Sequence, residues 1–430
     1  MRIWIIGGWA AGMMCAASLI DHAQQLKQPE IHLFEKNSRL GAKVIISGWG
    51  RCNVTTWIVD KKALLTKYIR GGEFLKQSLG VFGPAKLMQW FENHGVPLKI
   101  EEDMRVFPVS DNGKDVVGAF ENLFATSNVH VHLKCGITEV QPLHPWFRLT
   151  TSEGVYDVDC VVITTWGEAY RHTWSTGDGY GFAEACGHTI TQLGPSLSSF
   201  LAHEQWVKDL SWIAFPNAAI RFDNAEMTDD IDHNGENFDD NKPVLVSGPL
   251  LCTHFWISGP VVFSLSAHVP YKQIDQTHPL AAQIVLEAWV SFETWDQRIV
   301  SWAKDYPARQ LKTQLHTVFP ERVVEKICEV VRIDPVQQLA HFTKEDRKRL
   351  VHALVDGLPL TLVARRPWDE FVTAWGVKLS EVDSKTMQSK ILPWLYFAGE
   401  VLDVDGLTWW FNLTSSWATW WLAGKSILQN

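Results

Sequence analysis

The apolar pattern is clearest at the start of the chain. Arg2 to Ile6 is a short β-type run rich in Ile and Trp. A glycine turn, GGWAAG (Gly7 to Gly12), follows, and then a helix-like stretch from Met13 to Gln25. A second apolar run, Ile31 to Phe34, ends at Glu35. Strand, glycine turn, helix, strand and acidic residue, in that order, predict a βαβ dinucleotide-binding unit, and Glu35 follows Gly12 at close to the ~20-residue spacing of that unit. Each part has a physical task. Gly7 makes the tight turn, Gly12 lets the helix pack on the strand, and the helix N-terminus offers N–H groups to a pyrophosphate, while Glu35 accepts hydrogen bonds from a ribose diol. The alternative is a glycine turn that only connects two elements. One position departs from the G-x-G-x-x-G rule: its third place, which lets the backbone approach the phosphates, holds Trp9.

Farther along, from about 194 to 275, short β-type runs (Ala218 to Phe222, Pro243 to Val246, Val261 to Ser266) alternate with turns and predict a small barrel or sheet. From 277 to 355 the period changes: AAQIVLEAWVSFETW, VVEKICEVV and EDRKRLVHALV carry apolar residues at helical spacing. The segment DDIDHNGENFDDN places Asp230, Asp232, Asn234 and Gly235 like a calcium loop. Its twelfth position is Asn241 in place of a bidentate glutamate, so a solvated acidic hairpin loop is the better reading and no metal site is assigned. The uncharged stretch Gly406 to Gly424 is long enough to span a bilayer. Its Asn412, Ser and Thr residues, with Glu400, Asp403 and Asp405 before it, favour a buried loop and helix. The N-terminus, with one basic residue and a short apolar run, carries no signal-peptide pattern. A soluble protein is expected.

Composition narrows the function. A chain of 430 residues, 46% hydrophobic, suits two or three domains. Its 39 basic and 48 acidic residues give a net charge of -9, which argues against binding nucleic acid or an anionic membrane. The seven cysteines (15, 52, 135, 160, 186, 252, 328) form no CxxC pair, which speaks against a disulfide scaffold or structural zinc and for a reducing cytoplasm. No Ser-His-Asp or HExxH pattern occurs, and no second GxGxxG. Tryptophan is the anomaly: 22 of 430, about 5%, against 7 Tyr.

Longer motifs now bear on the family. GGWAAG, EKNSRLG and LGAKVIISGWGRCNVTT (Leu40 to Thr56) resemble bacterial flavoproteins of the YhiN and BaiN type, a family that includes aminoacetone oxidase and shows GGGAAG, then EK, then ISGGGRCNVTN. VVITTWGEAY (Val161 to Tyr170) is similar to its strand ending in ATGG, WSTGDGYGFAEACGHTI (Trp174 to Ile190) to its GSTGDGY segment, and THFWISGP (Thr253 to Pro260) to THFGISGP. VTAWGVKLSEVDSKTMQSK and LPWLYFAGEVLDVDGLTWWFNLTSSWATWWLAG resemble the family's C-terminal motifs, so the likeness runs in order along most of the chain. Trp9, Trp49, Trp166, Trp212, Trp256, Trp375, Trp394, Trp409, Trp410 and Trp420, and Trp174 with them, stand where that pattern has glycine. Such a set points to a systematic exchange, because these are places where positive φ or a close ligand calls for glycine.

The resemblance implies an α/β fold: a two-dinucleotide-binding, Rossmann-like FAD domain with an inserted β-barrel and helical substrate domain. The expected boundaries are 1–193 and 350–430 for the FAD domain, 194–275 for the barrel and 276–349 for the helical part, with a substrate cleft between FAD and inserted domains. It assigns the adenosine half of FAD to Gly7, Gly8, Ala10, Ala11, Gly12, Glu35 and Lys36. Lys43, Arg51, Cys52 and Asn53 fall to the pyrophosphate, ribityl and flavin, and Ile137 to the adenine. Thr165 and Gly167 close the second sheet crossing, and Asp178 lies near the FAD. Gly399, Glu400 and Asp403 resemble the motif facing the ribityl hydroxyls. Asn412 and Leu413 would precede a last helix whose dipole favours the reduced flavin. Plainer roles stand beside these: Arg51 paired with a structural carboxylate, Cys52 as a packed contact, Asp178 and Asp403 as helix caps, and His188 and His254 as structural histidines. The implied activity is FAD-dependent hydride transfer between the flavin and a small organic substrate or NAD(P)H. The second reading is a non-catalytic relative whose FAD cleft is filled by tryptophan.

Overall fold

The computed structural model describes residues 1–23, 29–169, 175–223, 243–367 and 370–429, without the side chain of Trp49. The acidic segment Asp229 to Asn241 and Trp174 lie outside the described residues. The chain forms two compact units. One comprises Met1–Ser196 and Glu370–Asn430, and the other begins at Leu197 and ends at Asp369.

The first unit is built on five parallel strands: β1 (Arg2–Ile6), β2 (Glu30–Glu35), β3 (Val129–Leu133), β4 (Cys160–Ile163) and β5 (Leu395–Phe397), in the order β5-β4-β1-β2-β3. Central parallel strands are buried on both faces and so read as unbroken apolar runs; Ile3 to Ile6 and Cys160 to Ile163 are all buried. Ile5 of β1 is in register with Leu33 on one side and Val162 on the other. Helix α1 (Ala10–Ala23) leaves the turn after β1. Its small residues Ala10, Ala11, Ala16 and Ala17 are buried, and it packs against the C-terminal helix (Trp409–Ile427), to which Ser18 Oγ donates at the Trp421 carbonyl (2.8 Å). A three-stranded antiparallel sheet, Ile137–Pro142, Phe147–Thr151 and Gly154–Val158, intervenes before β4.

The second unit holds a closed antiparallel barrel of six strands, in the order Phe200–Ala202, Trp256–Ser258, Val244–Cys252, Ala214–Phe222, Leu280–Val285 and Leu358–Arg365, with the last pairing back on the first. Helices Phe292–Asp305, Glu321–Val331 and Lys344–Val355 bury Trp295, Ile299, Val323, Ile327 and Leu350 in the same core. Barrel and helices thus form one unit, and its C-terminal limit lies beyond 350 because Leu358–Arg365 closes the barrel.

Two local expectations are corrected. The start of AAQIVLEAWVSFETW is a strand: Leu280 and Ile284 point inward and pair with Leu362 and Leu358, and the helix begins only after Ser291 caps the Thr294 N–H at 3.1 Å. Long-range pairing overrides a local helical period here. Conversely, Val261 to Ser266 is helical (Pro260–His268), because Gly259 turns the chain and Pro260 sits at the first helical position, where its missing N–H costs nothing. Among the described residues no helix is long and apolar enough to cross a membrane.

Candidate functional site

The turn after β1 fixes the site. Gly7 has φ 113, and a β carbon on Gly12 would stand 1.9 Å from the Gly7 carbonyl oxygen, so the first turn of α1 closes only over glycine. The Gly7 N–H donates to the Phe34 carbonyl (2.8 Å), locking turn to β2. At the end of β2 the Glu35 carboxylate accepts from the Gly8 N–H (2.9 Å) and from the backbone and side chain of Asn37 (2.7 Å each). Burial pushes its pKa up against the pull of these N–H groups. Lys36 Nζ donates to Thr176 (2.6 Å) and Asp178 (2.9 Å). Partial burial opposes ionisation of Asp178, but the hydrogen bonds from Lys36 and Thr176 outweigh it and hold the carboxyl below its usual range.

Gly7, Trp9, Glu35, Lys36, Ile137, Thr165, Trp166 and Asp178 line one cleft that opens to solvent. Six of the positions assigned by resemblance are therefore brought together. Gly8, Ala10, Ala11 and Gly12 do not line it; they are buried in the turn and the start of α1.

Beyond the turn the character changes. Trp9, 5% exposed, meets Trp166 edge-on (5.6 Å between centroids), and Trp166 stacks on Trp409 (5.4 Å, 18°). Lys43 is buried, lies 4.1 Å over the Trp166 ring and donates to the Ala169 carbonyl (2.9 Å). Burial lowers its pKa and raises that of buried Glu400, and their mutual attraction opposes both shifts. Glu400 accepts from the Thr373 N–H (3.1 Å), and Thr373 Oγ1 accepts from Glu168 and Ala169. Gly167 fits against that hydroxyl, and Gly399 precedes Glu400 with φ 84.

The remaining assigned residues lie apart from the cleft. Arg51 pairs with Glu101 and Asp111 and covers the Phe107 ring at 4.0 Å, the plainer of its two expected roles. Cys52 is fully buried, its thiol pushed up to about 12 by burial, which makes it a packed residue. Asn53 is buried beside it. Asn412 and Leu413 do not precede the last helix; they lie inside it, since it begins at Trp409. The Asn412 amide accepts from the Gly406 N–H and donates to the carbonyls of Gly406 and Thr408, and Leu413 is in the core. Asp403 is half-buried. His188 is a packed residue bonded to Ser389 (2.7 Å) and Glu381, while exposed His254 accepts from Trp212. Missed by the sequence reading is the buried ion pair of Arg70 with Asp405, which also accepts from Ser196 (2.9 Å). The DVDG motif offers Asp405, but no local signal marks a partner 335 residues away.

The two halves of the cleft answer differently to a dinucleotide. The end at Glu35, Lys36, Ile137 and Asp178 has polar side chains and empty space, and suits an adenosine. The end running past Trp9, Trp166 and Trp409 is filled by indoles in mutual contact, and as it stands does not fit the pyrophosphate and flavin.

Comparison with known proteins agrees with the motifs. Residues 1–426 match the HI0933-like protein Rossmann domain family. A ribosomal RNA dihydrouridine synthase of Escherichia coli K12 is 26% identical over 427 residues, covering 99% of this chain and 97% of the relative. A 3-dehydro-bile acid delta(4,6)-reductase of Clostridium scindens is 24% identical over 434 residues, covering 100% and 99%. Among solved structures, the FrdA subunit of E. coli quinol fumarate reductase superposes with a TM-score of 0.48 at 13% identity, covering 100% of this chain and 70% of that one. The assignment rests on the sequence matches: the chain belongs to the HI0933-like Rossmann-domain family and is, by family resemblance, an FAD-dependent oxidoreductase.

Proposed function

We propose that the protein reduces a carbon–carbon double bond in a small organic substrate, with FAD as its cofactor and NAD(P)H as the reductant. The observation that carries the cofactor is the adenosine end of the cleft: a buried carboxylate at the end of β2, oriented by the Gly8 and Asn37 N–H groups, facing open space that Lys36, Ile137 and Asp178 complete. The substrate class follows the two relatives. One is named for making dihydrouridine and the other for a delta(4,6) reduction, and both names describe saturation of a double bond. A net charge of -9 favours a free small molecule over a base held in RNA.

A second reading, a non-catalytic relative with a closed cleft, is favoured by one observation, the line of Trp9, Trp166 and Trp409. The test is to purify the protein from the cells that naturally make it, denature a sample and identify any released flavin. The rest is incubated anaerobically with NADPH or NADH and a set of conjugated enones. Released FAD and NAD(P)H-dependent loss of enone absorbance support the first reading. A folded protein that releases no flavin and takes up none supports the second.

A further inference from the structure

Left-handed backbone singles out one residue type. Among the described residues twelve non-glycine residues have positive φ, and four of them are tryptophan: Trp212 (φ 68), Trp289 (φ 74), Trp375 (φ 75) and Trp394 (φ 66). Tryptophan supplies 22 of 430 residues, so twelve random draws would give fewer than one. In this region the β carbon crowds the following carbonyl oxygen, which glycine avoids and which Asn or Asp relieves locally; a bulky aromatic there is an outlier. Trp212 and Trp289 are 69% and 80% exposed, which leaves them little packing to hold such a conformation.

Burial tells the same story in the first unit. Trp417 and Trp90 sit where the family pattern does not ask for glycine, and each donates its indole N–H, to the Val54 carbonyl (3.0 Å) and to Asp21 (3.1 Å). Trp166 and Trp420 stand at glycine positions of the pattern, and their buried indole N–H groups meet no acceptor among the described residues, a state shared in the second unit by Trp206 and Trp295. The Trp420 ring also lies on Gly399, so close that a β carbon at 399 would be 2.2 Å from it. Finally, Trp9, Trp166 and Trp409 fill the part of the cleft that a dinucleotide needs.

We propose that the working form of this protein carries glycine at the strained positions 212, 289, 375 and 394 and at the cleft positions 9, 166 and 409, and that the dinucleotide site is open in that form. One codon read as tryptophan in one genetic code and as glycine in another puts the whole set in place in a single step. Independent changes would scatter over residue types and over the surface. The inference rests on the FAD reading of the cleft, since that is what the glycine form would hold, but its backbone half stands without it.

Peptide mass spectrometry of the protein purified from its natural cells reads the residue directly. Glycine is expected in the peptides covering 375 and 394; tryptophan there overturns the proposal, whatever the protein does with FAD. Next, FAD is titrated into the tryptophan-bearing chain and into its Trp9→Gly/Trp166→Gly/Trp409→Gly variant, following flavin fluorescence, with circular dichroism to show that both are folded. The variant is expected to bind on the order of 100-fold more tightly, two factors of ten in Kd. Equal affinity in two folded proteins contradicts the claim that the indoles close the site. If the natural protein carries glycine but neither it nor the variant reduces an enone, the inference holds and the proposed activity fails.

Discussion

The two ends of the cleft differ in how their side chains are held. At the adenosine end each charged group has a partner with short, directed geometry: Glu35 with Gly8 and Asn37, Lys36 with Thr176 and Asp178. At the far end Trp9 meets Trp166 edge-on and Trp166 stacks on Trp409, with a buried lysine over the Trp166 ring and an indole N–H on Trp166 that meets no acceptor among the described residues. Directed polar pairs around open space are what a ligand site requires. Rings packed against one another with an unanswered N–H are what remains when side chains occupy the ligand's place, and the difference locates the conflict between family and chain at a few positions.

The comparison can be broken by mutation, beginning with the largest effect. In the same unit, Arg70→Ala leaves the fully buried Asp405 without its ion partner and is expected to cost about 3–5 kcal/mol, seen as a large fall in the urea midpoint; a change below ~1 kcal/mol would mean that Asp405 is neutral or solvated. Trp417, fully buried, stacked on Phe120 and hydrogen-bonded to Val54, is a packed core indole. Trp417→Ala should cost about 3–5 kcal/mol. Glu35→Ala orphans the Gly8 and Asn37 N–H groups and should cost about 1–3 kcal/mol, while also weakening binding of adenosine, which carries no phosphate and so probes that end alone.

Trp289→Gly has the opposite sign. Relieving a β carbon at φ 74 on a side chain 80% exposed should raise stability by about 1–2 kcal/mol less the small amount of packing lost, so that Tm rises. A fall in Tm as large as that of Trp417→Ala would show that the two indoles are alike and would remove the distinction between core and misplaced tryptophans. The smallest effect concerns pH. Asp178 is held below the usual carboxylate range, so its ion pair with Lys36 contributes stability above the unfolded value near ~3.9 and loses it as pH falls through the lower folded value. Both groups are partly exposed, so the contribution is screened. Asp178→Asn should therefore flatten the fall in Tm between pH 5 and 3 only slightly, and should leave Tm at pH 8 nearly unchanged.

What was legible in the sequence was local. The turn at Gly7 to Gly12, the two flanking strands and Glu35 lie within 35 residues, and strand, glycine, helix and acid each leave their own mark on composition. The glycine demand at 212, 375 and 394 was likewise readable from motifs, and the backbone shows positive φ at all three; Trp289 lay in no motif and was found only from its φ. What was not legible depends on pairing across the chain. Leu280–Val285 becomes a strand because Leu358–Arg365 is there to receive it, and Asp405 finds Arg70 across 335 residues. Arg51, in the most family-like segment, pairs with Glu101, in the loop of the hairpin formed by Leu98–Ile100 and Arg105–Pro108, and with Asp111, just after that hairpin. Motif membership placed the residue in sequence but could not say which way its side chain points.

The central claim is that the indoles at positions 9, 166 and 409 stand in the place of the cofactor. The most direct measurement is the visible spectrum of the tryptophan-bearing chain and of the triple glycine variant, each mixed with excess FAD and passed through a gel-filtration column. The account predicts a flavin band at near one equivalent on the variant and none on the parent chain. A flavin band of equal height on both proteins would contradict it.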